Sequence, residues 1–328
     1  MRWPETPVLF RAPAGPRRGF GHLLRCRALA RALGVRPVVA LRATAATAHA
    51  ARRLGVTVVP GAPALVLRRT HARLLIVDDL VAGAARRWIA EARAIGCRVA
   101  SIHDLGLGCL DADLVIDGSV TGRARVDRRR SLTGLRYAVI DPVYASAARR
   151  PRRGALRVLV ALGGGPRRRL ALAIARAVAA RVPRAIVRVA GGLAGGPAGG
   201  PARTANPGPT WTGPLDGLHG ELSACDIAVV GGGVSLYEAC AASVAPVAVA
   251  VVPAQRPTVA GFARLGACRG TTSGRPNADA LARMVATLAA DAAGRVRLAR
   301  RARRLVDGRG ALRVATVLRP WAGIGNAS

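Results

Sequence analysis

Short apolar runs alternate with longer amphipathic stretches from one end of the chain to the other. In the first half the runs fall at residues 8–10, 35–40, 56–59, 74–77, 98–102, 114–116 and 137–140. Between them, residues 22–33, 43–54 and 84–95 carry apolar positions every third or fourth residue, the period of a helix with one buried face. The runs are continuous Val/Ile/Leu without polar alternation, which suits strands covered on both faces of a parallel sheet. Strand–helix–strand repetition then predicts right-handed crossovers and a doubly wound α/β sheet.

The alternation lapses at residues 144–154, an Ala/Arg/Pro stretch, and restarts with an apolar run at 156–162. A helix is predicted at 167–181, strands at 185–190, 227–230 and 247–251, and helical pattern from 277 to 318. Residues 191–209 are rich in Gly and Pro and read as a mobile surface loop. The chain has 328 residues, against ~100–200 for a typical domain, so two domains are expected. The boundary predicted here gives 1–148 as an N-terminal Rossmann-like domain. Residues 149–328 form a second one that includes the C-terminal helices.

Composition changes the picture in two places. The formal charge is +34, from 51 basic and 17 acidic side chains, and all 51 basic residues are Arg. A nucleic-acid partner would account for such a charge. However, a chain dominated by Ala, Arg, Gly, Pro and Val without a single Lys points to codon bias, and aromatics at 3% are too few for base-stacking platforms. No specific nucleic-acid partner is expected. The six cysteines (Cys26, Cys97, Cys109, Cys225, Cys240, Cys268) show no metal-type spacing and read as buried thiols in a reducing compartment. The first fifteen residues lack an apolar signal-peptide core, and no stretch reaches ~18 apolar residues. A soluble cytoplasmic protein with no transmembrane segment is expected. The pattern calls for neither a cofactor nor a metal ion, and it leaves the oligomeric state open.

Three glycine-containing motifs stand where strands run into helices. Gly19-Phe20-Gly21-His22 follows the first strand, with Arg25 and Cys26 one turn on. Glycines permit a tight turn, and the uncapped N–H groups of a helix start attract an anion. His22 falls in the first helical turn, where an imidazole could take a proton from water or a sugar hydroxyl. A capping turn with an incidental histidine would look the same. Gly163, Gly164 and Gly165 occupy the equivalent place in the second half, as a ligand loop or a plain hinge. In Asp226–Glu238 a strand runs into Gly231-Gly232-Gly233. The N–H groups of Gly232, Gly233 and Ser235 could hold a diphosphate, and Glu238 one turn on could accept hydrogen bonds from a ribose or simply balance the helix dipole. Asp78-Asp79 and His103-Asp104 lie at strand carboxyl ends, where open α/β sheets bind ligands. Asp78 and Asp79 could orient a sugar, with Asp78 accepting a proton, or cap the next helix. His49, His71 and His219 have no telling spacing.

Gly-x-Gly-His-x-x-Arg-Cys, followed by Leu29-Ala30, resembles the opening of the nucleotide-sugar hydrolase family of pseudaminic acid biosynthesis. Its members remove UDP from a UDP-activated diacetamido-trideoxy sugar. Further segments agree in the same order: Ile76-Val77-Asp78-Asp79-Leu80, Asp113 to Ile116, Gly134-Leu135-Arg136-Tyr137-Ala138, Val160 to Gly165, the 226–238 block, Gln255, and Asp307-Gly308-Arg309-Gly310-Ala311. The resemblance covers most of the chain. It implies the GT-B fold, two Rossmann-like domains with a central cleft, and a UDP-sugar substrate. It places His22 near the anomeric carbon, as the group that positions or deprotonates water. Asp78 is the second catalytic residue, and Gly19, Gly21, Arg25, Asp79, Gly163, Gly164 and Gln255 contact substrate. Gly232, Gly233 and Ser235 face the diphosphate, and Glu238 meets the ribose. A GT-B glycosyltransferase with a hydroxyl acceptor, and a non-catalytic nucleotide-sugar-binding homologue, remain the alternatives.

Overall fold

Two parallel sheets organise the chain, each belonging to its own compact unit. The computed structural model describes residues 4–15, 19–79, 81–103, 111–122, 130–146, 154–163, 167–194, 208–213, 215–272 and 276–325. The first unit comprises residues 1–142 and 309–328, the second 143–308.

In the first unit the strands are β1 (Val8–Arg11), β2 (Val38–Ala40), β3 (Thr57–Val59), β4 (Leu74–Val77), β5 (Arg98–Ile102), β6 (Leu114–Asp117) and β7 (Ser131–Thr133). Their spatial order is β3-β2-β1-β4-β5-β6-β7, with every pair parallel. The crossovers carry α1 (Gly21–Leu33), α2 (Ala45–Leu54), α3 (Pro63–Thr70) and α4 (Ala82–Ala94). Local chemistry sets their ends. Thr44 and Thr47 form a reciprocal capping box at the start of α2, Pro63 opens α3, and Gly34 and Gly55 end α1 and α2 in the left-handed region. Ala85, Trp88, Ile89 and Ala92 of α4 share one helical face and bury it against Leu75, Val77 and Val99.

The second unit repeats the plan. Its elements are β8 (Arg157–Ala161), α5 (Arg168–Arg181), β9 (Ile186–Val189), β10 (Thr210–Trp211), α6 (His219–Ser223), β11 (Ile227–Gly231), α7 (Val234–Ala241), β12 (Ala245–Val249), α8 (Arg256–Arg264), β13 (Arg269–Thr271), α9 (Ala278–Ala290) and α10 (Ala292–Leu305). The sheet order is β10-β9-β8-β11-β12-β13, again all parallel. Ile174, Ala175 and Val178 of α5 meet Leu281, Ala282, Val285 and Leu288 of α9 over Val158, Val160, Val229 and Val247.

Several expectations need correction. The last helix, α11 (Gly310–Leu318), packs on α1 and belongs to the first unit, so the second domain does not run to residue 328. The glycines at the return are fixed by close packing. A Cβ on Gly308 would sit 2.4 Å from the Tyr144 carbonyl oxygen, and one on Gly310 would sit 2.1 Å from that of Ala138. The Arg/Pro stretch that suggested the boundary, 147–153, lies outside the described residues.

The expected strand at 137–140 is no strand: a 3-10 turn at Leu135–Tyr137 leads into a buried extended segment, and the true edge strand is β7. Gly118, just beyond β6, lets this segment pack closely, since a Cβ there would lie 2.5 Å from Ala138 Cα. The run at 247–251 forms β12 two residues earlier, at Ala245–Val249. Most of the expected loop at 191–209 lies outside the described residues. Cys26, Cys97, Cys225, Cys240 and Cys268 are buried, and Cys109 lies outside the described residues. His219, which showed no telling spacing, packs its ring edge-on against Tyr144, centroids 5.2 Å apart.

Candidate functional site

Each sheet reverses its strand order once, between β1 and β4 in the first unit and between β8 and β11 in the second. Loops leaving the carboxyl ends of such neighbours diverge to opposite sides and open a crevice at that edge. The glycine motifs and the Asp-Asp pair all lie at these two places.

In the first unit, the loop after β1 is closed by mutual hydrogen bonds between Gly15 and Gly19, at 3.2 and 2.7 Å. Gly19 has φ +81, which favours glycine. No side chain caps α1, whose first residue is Gly21. His22 and Arg25 lie three residues apart and share a face of α1. Both reach Asp78, the first residue beyond β4. His22 Nδ1 is 3.0 Å from Asp78 Oδ1, and Arg25 Nε donates to Asp78 Oδ2 at 2.7 Å. A second Arg25 nitrogen donates to Oδ1.

Asp78 is fully buried. Burial pushes its carboxyl up, but the Arg25 guanidinium and His22 outweigh that and hold it well below the usual carboxylate range. A carboxylate can only accept, so a hydrogen bond from His22 to Asp78 requires the tautomer with the proton on Nδ1, although an Arg25 nitrogen, itself only a donor, also lies 3.2 Å from that atom. In that neutral tautomer Nε2, on the opposite side of the ring, carries the lone pair, and it has no partner among the described residues. This is the arrangement of an oriented base. Asp78 stands at a strand carboxyl end, as the sequence reading has it, and its contact with His22 is a feature that reading did not contain. Arg25 differs from that reading: it is buried and clamps Asp78 instead of presenting itself to a ligand.

Asp79 differs too. Its side chain turns to the other face of the sheet, where Oδ2 lies 2.8 Å from Arg11 and Oδ1 accepts the Val81 N–H at 3.0 Å. It ties down the start of α4 and is not offered to a sugar. Sequence reading passed over Arg11. The available signal was a charged residue ending an apolar strand just where the ligand loop begins. One strand further on, His103 Nε2 bonds Ser101 Oγ at 3.1 Å, and Asp104 lies outside the described residues.

In the second unit, Gly163 has φ +86 and is exposed after β8, while Gly164 and Gly165 lie outside the described residues. Gly232 and Gln255 need correction. The Gly232 N–H is shared between Val249 O and Gln255 Oε1, both at 3.1 Å, and the same Oε1 takes the Val251 N–H at 3.1 Å. Gln255 is thus a brace inside the loop. Gly232 is required by crowding, since a Cβ would lie 2.7 Å from Val259 Cγ2. The N–H groups of Gly233, Val234 and Ser235 have no protein partner among the described residues and stand at the uncapped positive end of the α7 dipole. Glu238 lies one turn beyond Ser235 and is buried. Among the described residues no cluster of side chains has the makings of a metal site, and no helix is long and apolar enough to cross a membrane.

No protein-family model matches the chain, and no curated protein does. Solved structures resemble it along nearly its whole length. A spinosyn rhamnosyltransferase complexed with thymidine diphosphate has a TM-score of 0.64 at 16% identity, covering 96% of this chain and 99% of that one. MurG of Acinetobacter baumannii gives 0.63 at 14%, covering 97% and 100%. MnaA of S. aureus with UDP gives 0.65 at 10%, covering 98% of each. At such identities the likeness is one of fold, and it agrees with the two doubly wound sheets: the chain has the GT-B fold.

Proposed function

We propose that the protein is an enzyme that breaks the anomeric C–O bond of a nucleotide-activated sugar and releases a nucleoside diphosphate. The observation that carries this is the His22–Asp78 pair at the first switch point, with the second ring nitrogen unpartnered. His22 Nε2 takes the proton of the attacking hydroxyl as the new C–O bond forms. The electron pair of the old bond leaves on the diphosphate oxygen, and Asp78 stabilises the imidazolium that results. The uncapped N–H groups at Gly233–Ser235 are the donors for the diphosphate, whose charge grows as the bond breaks. Two of the similar structures hold thymidine diphosphate or UDP, which supports this ligand class. Glu238 is assigned to the ribose hydroxyls on its spacing from Ser235.

Water is the attacking group in the reading we favour, a UDP-sugar hydrolase, because the Gly19–Cys26 segment and the collinear motifs resemble that family. A second reading, transfer to a hydroxyl acceptor, is favoured by the likeness to the spinosyn rhamnosyltransferase. Incubation with UDP-sugars in the absence of any acceptor separates them. UDP release under those conditions supports hydrolysis, and release only when a hydroxyl acceptor is added supports transfer. UDP binding with no release in either case leaves a non-catalytic binding protein.

A further inference from the structure

One residue holds both members of the Asp78-Asp79 pair. The Arg11 carbonyl accepts the Asp78 N–H at 2.8 Å, and the Arg11 guanidinium lies 2.8 Å from Asp79 Oδ2. The guanidinium is itself fixed: it donates to the carbonyls of Ala12 and Ala40 at 3.1 and 3.2 Å and lies 5.9 Å from the centre of the Trp88 ring. Arg11 pairs in register with Ala40 on one side and Val77 on the other, so it sits at the β1–β4 seam where the strand order reverses.

Consecutive residues leaving a strand point to opposite faces. Asp78 points toward α1 and meets Arg25 and His22, whereas Asp79 points toward α4 and meets Arg11. The two side chains share one peptide link. Holding Asp79 on the far face fixes the backbone dihedrals of Asp78 and hence the direction of its carboxylate. From this ion pair and its place at the β1–β4 seam, we infer that Arg11 is a positioning residue for the His22–Asp78 pair, acting through Asp79 and the intervening backbone. This rests on the reading of His22 as the base. Arg11 acts through Asp79 and the backbone and is not itself catalytic.

The charged and titratable groups around Asp78 are His22, Arg25 and the buried Cys26 from α1, and Arg11 from β1. Loss of the Arg11–Asp79 contact leaves all the α1 groups in place. The carboxylate would then swing relative to the imidazole, and His22 would no longer hold its proton on Nδ1 alone.

The test compares wild type, R11Q, R11K and D79N as full-length chains by two readouts. The first is the His22 tautomer from its side-chain ¹⁵N signals. The second is kcat and KM for nucleoside diphosphate release. In wild type the Nδ1–H tautomer is expected alone. In R11Q and D79N a mixture is expected, with kcat down about 10–100-fold and KM within about twofold. R11K keeps the charge without the planar fork and should recover part of the loss. D79N keeps the cap on Val81 and covers the case in which R11Q fails to fold. An unchanged His22 tautomer in folded R11Q or D79N overturns the inference. The tautomer is read without substrate, so the positioning role stands or falls separately from the nucleotide-sugar reaction.

Discussion

His22 and Asp78, 56 residues apart in the chain, meet at 3.0 Å across the first switch point. In the tautomer that donates Nδ1–H to Asp78, His22 keeps on Nε2 the lone pair that a base needs. Its energetics are demanding. A fully buried carboxylate is tolerated only because Arg25 clamps both its oxygens.

Replacing Asp78 by Asn should keep the shape and remove the base. Arg25 would hold the amide oxygen, and the amide NH2 would then face Nδ1 and drive the ring proton to Nε2. We expect kcat for nucleoside diphosphate release to fall by about 10²–10⁴ with UDP binding little changed. Steady-state kinetics beside calorimetric titration with UDP checks both halves.

Arg25→Met should be mainly a stability lesion. It leaves a buried carboxylate that keeps its contact with His22 but has lost its permanently charged partner, a loss of about 3–5 kcal/mol near neutral pH. The sign of the pH dependence follows from the directions of shift. In wild type the Asp78 carboxyl lies below its ordinary range, so its contribution is present above that range and lost only in strong acid. In R25M burial acts with little opposition and raises it, so acid relieves the unpaired charge. The difference in urea midpoint between the two proteins should therefore narrow as pH falls from 7 toward 4.

Gly232→Ala should destabilise through overpacking, because Val259 and Gln255 leave no space for a methyl group. About 1–3 kcal/mol is expected. Gly163→Ala meets no neighbour within 4 Å and should lose only the left-handed strain, about 1–2 kcal/mol. Urea denaturation of the two variants distinguishes crowding from backbone strain.

The buried thiols should be inert in the folded protein. Burial pushes Cys97 up to about 11 and Cys268 up to about 12. In a Cys109→Ala background, a disulfide reagent at about pH 8 should label these positions slowly, and rapidly after unfolding in urea. Fast labelling of folded protein would show that these side chains open to solvent.

Much of the architecture was legible because continuous apolar runs dictate parallel strands. Leu74–Val77 and Arg98–Ile102 form over the predicted residues. What escaped is what periodicity does not encode. The strands β7 and β10 are short and half-exposed, with too little apolar sequence to announce them. Likewise, α11 carries an ordinary helical pattern, and only its packing on α1 assigns it to the first unit. For the site, His22 was singled out by its place in the first helical turn after a glycine loop and Asp78 by its place at a strand carboxyl end, but their pairing across 56 residues was not legible. Arg25, Asp79 and Gln255 were read as substrate contacts from a helix-start motif, a strand carboxyl end and the family resemblance. In the structure Arg25 bonds Asp78, Asp79 lies beside Arg11 and Gln255 braces the Gly232 loop. A linear sequence does not show which polar groups need each other.

The decisive measurement is nucleoside diphosphate release from UDP- and TDP-sugars by wild type and H22A, with UDP affinity determined on the same preparations. Wild type should turn over. H22A should fall by about 10²–10⁴ while binding UDP within about twofold of wild type. Equal rates from the two proteins, or no release by wild type with or without a hydroxyl acceptor, would contradict the assignment.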